Sequence, residues 1–110
     1  MKTGNRNIQS ITRGETVVLR LADDSCKDNA RSLRTRLLNE IENAGTVIVD
    51  FTGVDKCDSS VIACLVEGLQ VARRRGTAFC LASLNARAER MLELFRLRPL
   101  FPVVRRPFCA

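Results

Sequence analysis

The order of elements legible in the chain predicts an α/β domain, a mixed sheet of four to five strands packed with helices. Three observations carry that expectation. Short apolar runs alternate with longer stretches whose apolar residues recur every three or four positions, which is the pattern of strands joined through helices. Two of the runs, "TVIVDF" and "TAFCLAS", are nearly continuous, as in strands covered on both faces. The first two strands follow each other with only a turn between them, so the sheet is not purely parallel.

Residues 8–12 and 15–22, "IQSIT" and "ETVVLRLA", read as a hairpin around "RG", with Gly14 in the turn. In its second strand Val17, Leu19 and Leu21 alternate and share one face. "DDSCKDN" then supplies turn and capping residues before a helix marked by Ala30, Leu33, Leu37, Ile41 and Ala44, which ends at Gly45. Residues 46–51 form the third strand. After the loop "TGVDKCD", residues 59–75 form a helix with Val61, Ile62, Leu65, Leu69 and Ala72 inward, and Gly76 stops it. "TAFCLAS" is the fourth strand, "NARAERMLELF" a helix presenting Ala88, Met91, Leu92 and Phe95, and "FPVV" a last short strand. The domain is expected over residues 8–104, with 1–7 and 105–110 as flanking tails. In a sheet with parallel neighbours, sites gather where a strand's carboxyl end turns into a helix. Gly53 to Asp58 is that place.

Composition narrows the function. The chain of 110 residues is 45% apolar, enough for one small packed core. No apolar run approaches the roughly 20 residues of a membrane span, and "MKTGNRNIQSITRGE" lacks the apolar centre of a secretory signal. A cytoplasmic location without membrane insertion is therefore expected. There is no histidine, so Ser/His/Asp and Cys/His catalysis is excluded and metal sites lose their commonest ligand. We expect no enzyme activity, no catalytic residues, no metal and no cofactor. The five cysteines, at 26, 57, 64, 80 and 109, have no C-x-x-C spacing and read as structural thiols of a reducing compartment. The net charge of +6 is spread along the chain, and with no Trp or Tyr there is little to stack on bases. Direct nucleic-acid binding is not expected. Arg73, Arg74 and Arg75 complement the negative end of the helix they close.

The "DSS" of residues 58–60 has two readings. Asp and Ser are preferred helix caps because their oxygens accept from the free N–H groups of the first turn, which by itself accounts for Asp58, Ser59 and Ser60. The other reading is a hydroxyl presented for modification. Together, "VIVDFTGVDKCDSS" and "RRRGTAFCLASLNARAERMLELFRLRPLFPV" resemble the STAS domain family, whose members include bacterial anti-sigma factor antagonists. The shared features are a strand ending in Asp50, a loop with Gly53 and Val54, the Asp58-Ser59-Ser60 helix start, and the closing "LFRLRPLFPV".

That resemblance implies that Ser59 is phosphorylated by an anti-sigma factor that is a serine kinase, and that a phosphatase reverses the step. The unphosphorylated protein would bind the anti-sigma factor and release a sigma factor. The expected partner surface is Asp24, Asp55, Asp58, Ser59, Ser60 and Val61. A phosphate at Ser59 would meet free N–H groups and the positive end of the helix, which tolerate an anion. It would also add about −1.5 to −2 charge beside Asp58 and Asp55. A unit pair some 6 Å apart is worth roughly 1 to 3 kcal/mol, so one or two such pairs change affinity about a hundredfold.

The chain departs from the family pattern in places. Val61 stands where glycine usually follows the two serines, and its branched side chain is expected to crowd an approaching partner. "ADDSC" replaces a Gly-Glu-Leu-Asp segment: Asp24 falls at the glutamate, Asp23 replaces the glycine and Cys26 the aspartate. A closing helix common in the family is not expected after "FPVV". These departures keep two alternatives open: an accessory subunit docking unphosphorylated on an ABC transporter ATPase, and a scaffold domain in a signalling assembly. Oligomeric state is not legible from the sequence.

Overall fold

The computed structural model describes residues 8–22, 30–54 and 59–104. Strands β1 (Gln9–Arg13) and β2 (Thr16–Ala22) are followed by helix α1 (Ala30–Asn43), β3 (Thr46–Gly53), α2 (Ser59–Arg75), β4 (Ala78–Ala82), α3 (Ala86–Leu94), a single 3₁₀ turn (Arg98–Leu100) and β5 (Val103–Val104). The sheet is mixed and five-stranded, in the order β1-β2-β3-β4-β5. Only the β1–β2 pair is antiparallel; β2–β3, β3–β4 and β4–β5 are parallel.

The hairpin turns one residue later than the sequence suggests. Arg13 pairs with Thr16, so the turn residues are Gly14 and Glu15. Gly14 has φ 60°, at the first of the two central positions, where a two-residue hairpin places glycine. The carbonyl of Glu15 then accepts from the N–H groups of Gly45, at 2.8 Å, and Thr46, at 3.1 Å, fixing the turn against the start of β3.

Each parallel connection advances to the next strand in one direction, and right-handed crossovers of that kind bring successive helices to one face. The core reflects this. Val17, Leu19, Leu21, Val47, Val49, Phe51, Phe79 and Leu81 of the strands form one buried cluster with Leu33, Leu37 and Ile41 of α1, Val61, Leu65 and Leu69 of α2, and Ala88 and Leu92 of α3. The other face carries a much smaller cluster of Val18, Ile48 and Ala82, against which Ile11 and Cys80 pack. β3 is therefore covered on both faces, as its unbroken apolar run requires. Gly68 lets α1 approach α2: a Cβ there would stand 2.8 Å from Leu37 Cδ2.

Two helices end on a left-handed residue. At the end of α2, Gly76 has φ 77°, and the N–H groups of Thr77 and Gly76 return to the carbonyls of Ala72 (2.9 Å) and Arg73 (3.4 Å), a paired left-handed cap. α3 closes in the same way, with the N–H groups of Leu97 and Arg96 on the carbonyls of Leu92 (2.8 Å) and Glu93 (3.0 Å). There the left-handed residue is Arg96, φ 59°. The helix consequently stops at Leu94, and Phe95, expected on its inner face, is 51% exposed. The tails, and with them the question of a closing helix, lie outside the described residues.

Candidate functional site

Strand β3 runs two residues past the sequence expectation, to Gly53, and its carboxyl end is built around a buried carboxylate. Asp50 is fully buried. One of its oxygens accepts from Arg20 Nε at 3.0 Å, across the register in which Arg20 and Asp50 are paired. The other accepts from the backbone N–H of Thr52 at 3.0 Å and from its hydroxyl at 2.6 Å. A buried charge needs this density of partners. They fix the strand end from which the loop departs.

Val54, the next fixed point, is buried, and its N–H donates to the carbonyl of Phe51 at 3.0 Å. Its own carbonyl accepts from Asn85 Nδ2. Asn85 is also the N-cap of α3, its Oδ1 accepting from the N–H of Ala88 at 2.8 Å. Beyond the loop, α2 begins at Ser59.

Ser59 and Ser60 are both exposed on the first turn of that helix. Ser59 lines an apolar groove of about 340 Å³ together with Ile62, Ala63, Phe95 and Leu97. Phe95 of the groove is 51% exposed, and Leu94 and Leu100 are exposed as well, at 74% and 44%.

Val61 needs correction. It is fully buried in the main cluster, because at two residues past Ser59 the helix has turned that position inward, in line with Leu65 and Leu69. Its side chain cannot crowd a partner; it anchors the first turn instead. Asp24, Asp55 and Asp58 lie outside the described residues. The structure thus brings Ser59 and Ser60 to one exposed turn and removes Val61 from it.

Sequence reasoning missed the opposite wall of the groove, Phe95 and Leu97, and the tie through Asn85. An asparagine preceding a helical pattern signals a cap, but its second bond joins residues 31 apart in sequence. On the far side of α2, Arg34 of α1 grips Glu67 through two hydrogen bonds of 2.7 Å, which hold the Glu67 carboxyl below its usual range. Cys64 is a buried thiol outside any disulfide, and Cys80 a half-buried one that burial pushes up. Cys26, Cys57 and Cys109 are outside the described residues. Among the described residues no helix is long and apolar enough to cross a membrane.

Solved structures share this architecture. An anti-sigma-factor antagonist (STAS) domain protein from Planctomyces limnophilus matches with a TM-score of 0.79 at 18% identity, covering 90% of each chain. The anti-sigma factor antagonist SpoIIAA in its unphosphorylated form matches with a TM-score of 0.75 at 18% identity, over 88% of this chain and 87% of that one. The Bacillus cell fate determinant SpoIIAA in the phosphorylated form gives 0.68 at 18% identity, over 88% and 90%. At these identities the likeness is one of fold. No curated protein matches the sequence. The STAS domain model matches residues 7–107, nearly the whole chain, and with the observed sheet, helix order and serine-bearing turn it establishes that the chain belongs to the STAS domain family.

Proposed function

We propose that this protein is a regulatory binding module of the anti-sigma factor antagonist kind, switched by phosphorylation of Ser59. Its unphosphorylated form binds an anti-sigma factor that is a serine kinase, which frees a sigma factor; a phosphatase resets it. The kinase brings the nucleotide and the catalysis, so the module itself is a substrate and a ligand rather than an enzyme. The observation that carries this reading is the placement of Ser59: exposed, at the first turn of α2, on the wall of the groove formed with Ile62, Ala63, Phe95 and Leu97. A partner seated in that groove touches the hydroxyl that is modified. A SpoIIAA of the same fold has been seen phosphorylated and unphosphorylated, so the architecture carries either state.

The positive end of the α2 dipole tolerates the phosphate, and Val61 beneath keeps the turn packed on the core. Modification therefore acts on binding and leaves folding intact. Placing about −1.5 to −2 charge on the wall of an apolar groove costs its occupant desolvation and contact, and about 2.7 kcal/mol is a hundredfold in affinity.

The test uses ATP and the anti-sigma-type serine kinase of the source genome. Wild type gains one phosphate, Ser59→Ala gains none, and Ser60→Ala still gains it. Ser59→Asp weakens kinase binding with little change in melting temperature. Should Ser59→Ala and Ser59→Asp both bind as wild type does with no phosphate transferred, the switch reading fails, and an unphosphorylated module docking on a transporter ATPase becomes the better account.

A further inference from the structure

We infer that Asn85 is a positioning residue for the acceptor serine, a single side-chain amide that ties the loop between β3 and α2 to the start of α3; the inference rests on the reading of Ser59 as the acceptor. Its Nδ2 donates to the carbonyl of Val54, and its Oδ1 accepts from the N–H of Ala88 at 2.8 Å. An amide offers a donor and an acceptor on one rigid plane, and here each is committed to a different element.

The consequence follows from what lies at the far end of each element. Val54 is buried, with its N–H on the carbonyl of Phe51, so its carbonyl has to find a partner within the protein. Asn85 supplies that partner and fixes the loop's first stem; the second stem is fixed by buried Val61. Ser59 lies between these two points. Through its other bond Asn85 starts α3, the helix whose far end delivers Phe95 and Leu97 to the groove that Ser59 lines. The two walls of the groove are thereby joined through one residue. Loosening the tie lets the hydroxyl and the apolar wall move independently, which a kinase reading both would register.

Two substitutions separate the tie from the cap. Asp and Ser are N-caps as good as Asn, so Asn85→Asp and Asn85→Ser both keep the bond to Ala88. An aspartate has no N–H to give Val54, and a serine side chain is too short to hold both bonds, so both lose the tie. They differ in charge, which exposes any effect of charge alone. Two amides report the outcome by hydrogen exchange: Val54, whose N–H is held on Phe51, and Ala88, whose N–H is held by the cap. In both variants exchange at Val54 rises about tenfold, as for the loss of one hydrogen bond. Exchange at Ala88 stays within about twofold, and kcat/KM for phosphoryl transfer to Ser59 falls about tenfold, the change expected from misplacing a reacting group.

Wild-type transfer rates in both variants would overturn the proposal, as would an unchanged Val54. So would a rise at Ala88 equal to that at Val54, which would make Asn85 a cap and nothing more. If wild type itself takes no phosphate, the reading of Ser59 falls, and the exchange at Val54 still decides on its own whether Asn85 holds the loop.

Discussion

Removing Arg20 should harm the fold more than neutralising Asp50, although the two residues form one ion pair. The reason is their unequal burial: the Asp50 side chain is fully buried and that of Arg20 is 42% exposed. Arg20→Leu deletes the 3.0 Å bond from Nε and leaves a buried carboxylate with, among the described residues, the two bonds from Thr52. Stranding a buried charge costs about 3 to 5 kcal/mol. Because the arginine lies half in solvent, its removal admits some water to the carboxylate, which brings the expected cost to about 2 to 3 kcal/mol.

Asp50→Asn keeps the shape and an acceptor for Thr52, and releases Arg20 to turn outward into water. Its cost should be about 1 kcal/mol, one ordinary hydrogen bond. In the double variant the stranded charge is gone, so Arg20→Leu with Asp50→Asn should be more stable than Arg20→Leu alone. Urea unfolding measures this directly. With a slope near 1.5 kcal/mol/M, typical of a domain of this size, the Arg20→Leu midpoint falls by about 1 to 2 M and the double variant recovers part of it. The reasoning is refuted if Arg20→Leu unfolds within about 0.5 kcal/mol of wild type, the ordinary range of a surface substitution, or if the two single costs simply add.

Three further outcomes follow from local geometry. Arg96→Gly should raise the melting temperature by a few degrees, because a left-handed non-glycine residue costs about 1 to 2 kcal/mol and glycine's extra chain entropy returns only about 0.5 to 1; an unchanged or lower value would mean that φ 59° carries no strain. The lowered Glu67 carboxyl stabilises the fold fully above its unfolded value, and that contribution is lost as pH falls through the folded one. Wild type should therefore lose more stability than Glu67→Gln as pH falls from the ordinary glutamate range through the lower folded value, by a small margin since the pair faces solvent; parallel pH profiles would contradict it. Alkylation followed by peptide should show Cys64 and Cys80 reacting far more slowly in the native protein than in denaturant, as burial requires; equal rates would show the thiols open to solvent.

What the sequence discloses and what it hides divide along a physical line. Helix α2 is legible to the residue because both its ends are written locally, in "DSS" and in "RRRG", whose glycine takes the left-handed position. α3 is read one residue too far for the same reason reversed: the residue that takes its left-handed position is Arg96, so no glycine announces the end and Phe95 counts as core. The apolar run of β3 predicts a strand covered on both faces and says nothing of the charge within it. Asp50 finds Arg20 only when β2 and β3 pair in register. Val61 carries two expectations, inward by helical spacing and on the partner surface by the family resemblance, and its burial in the main cluster agrees with the first.

The same division explains why the candidate site combines a fixed frame with an unsatisfied surface. Leu94 at 74% exposed and Phe95 at 51% add nothing to the core they sit beside, and burying them would stabilise the chain by the usual 1.5 to 3 kcal/mol or so per large apolar side chain. A left-handed arginine between Phe95 and Leu97 is a further local cost at the same place. Folding supplies no reason to retain either; on the proposed function, a partner that covers the groove does. On the reading proposed for Ser59, the frame then has a definite task. Asp50 and Arg20 hold the strand end, Val54 and Val61 hold the two stems, and the added phosphate meets a turn already fixed on the core. The repulsion and desolvation fall on the partner, and that is the condition under which one phosphate on a small domain works as a switch.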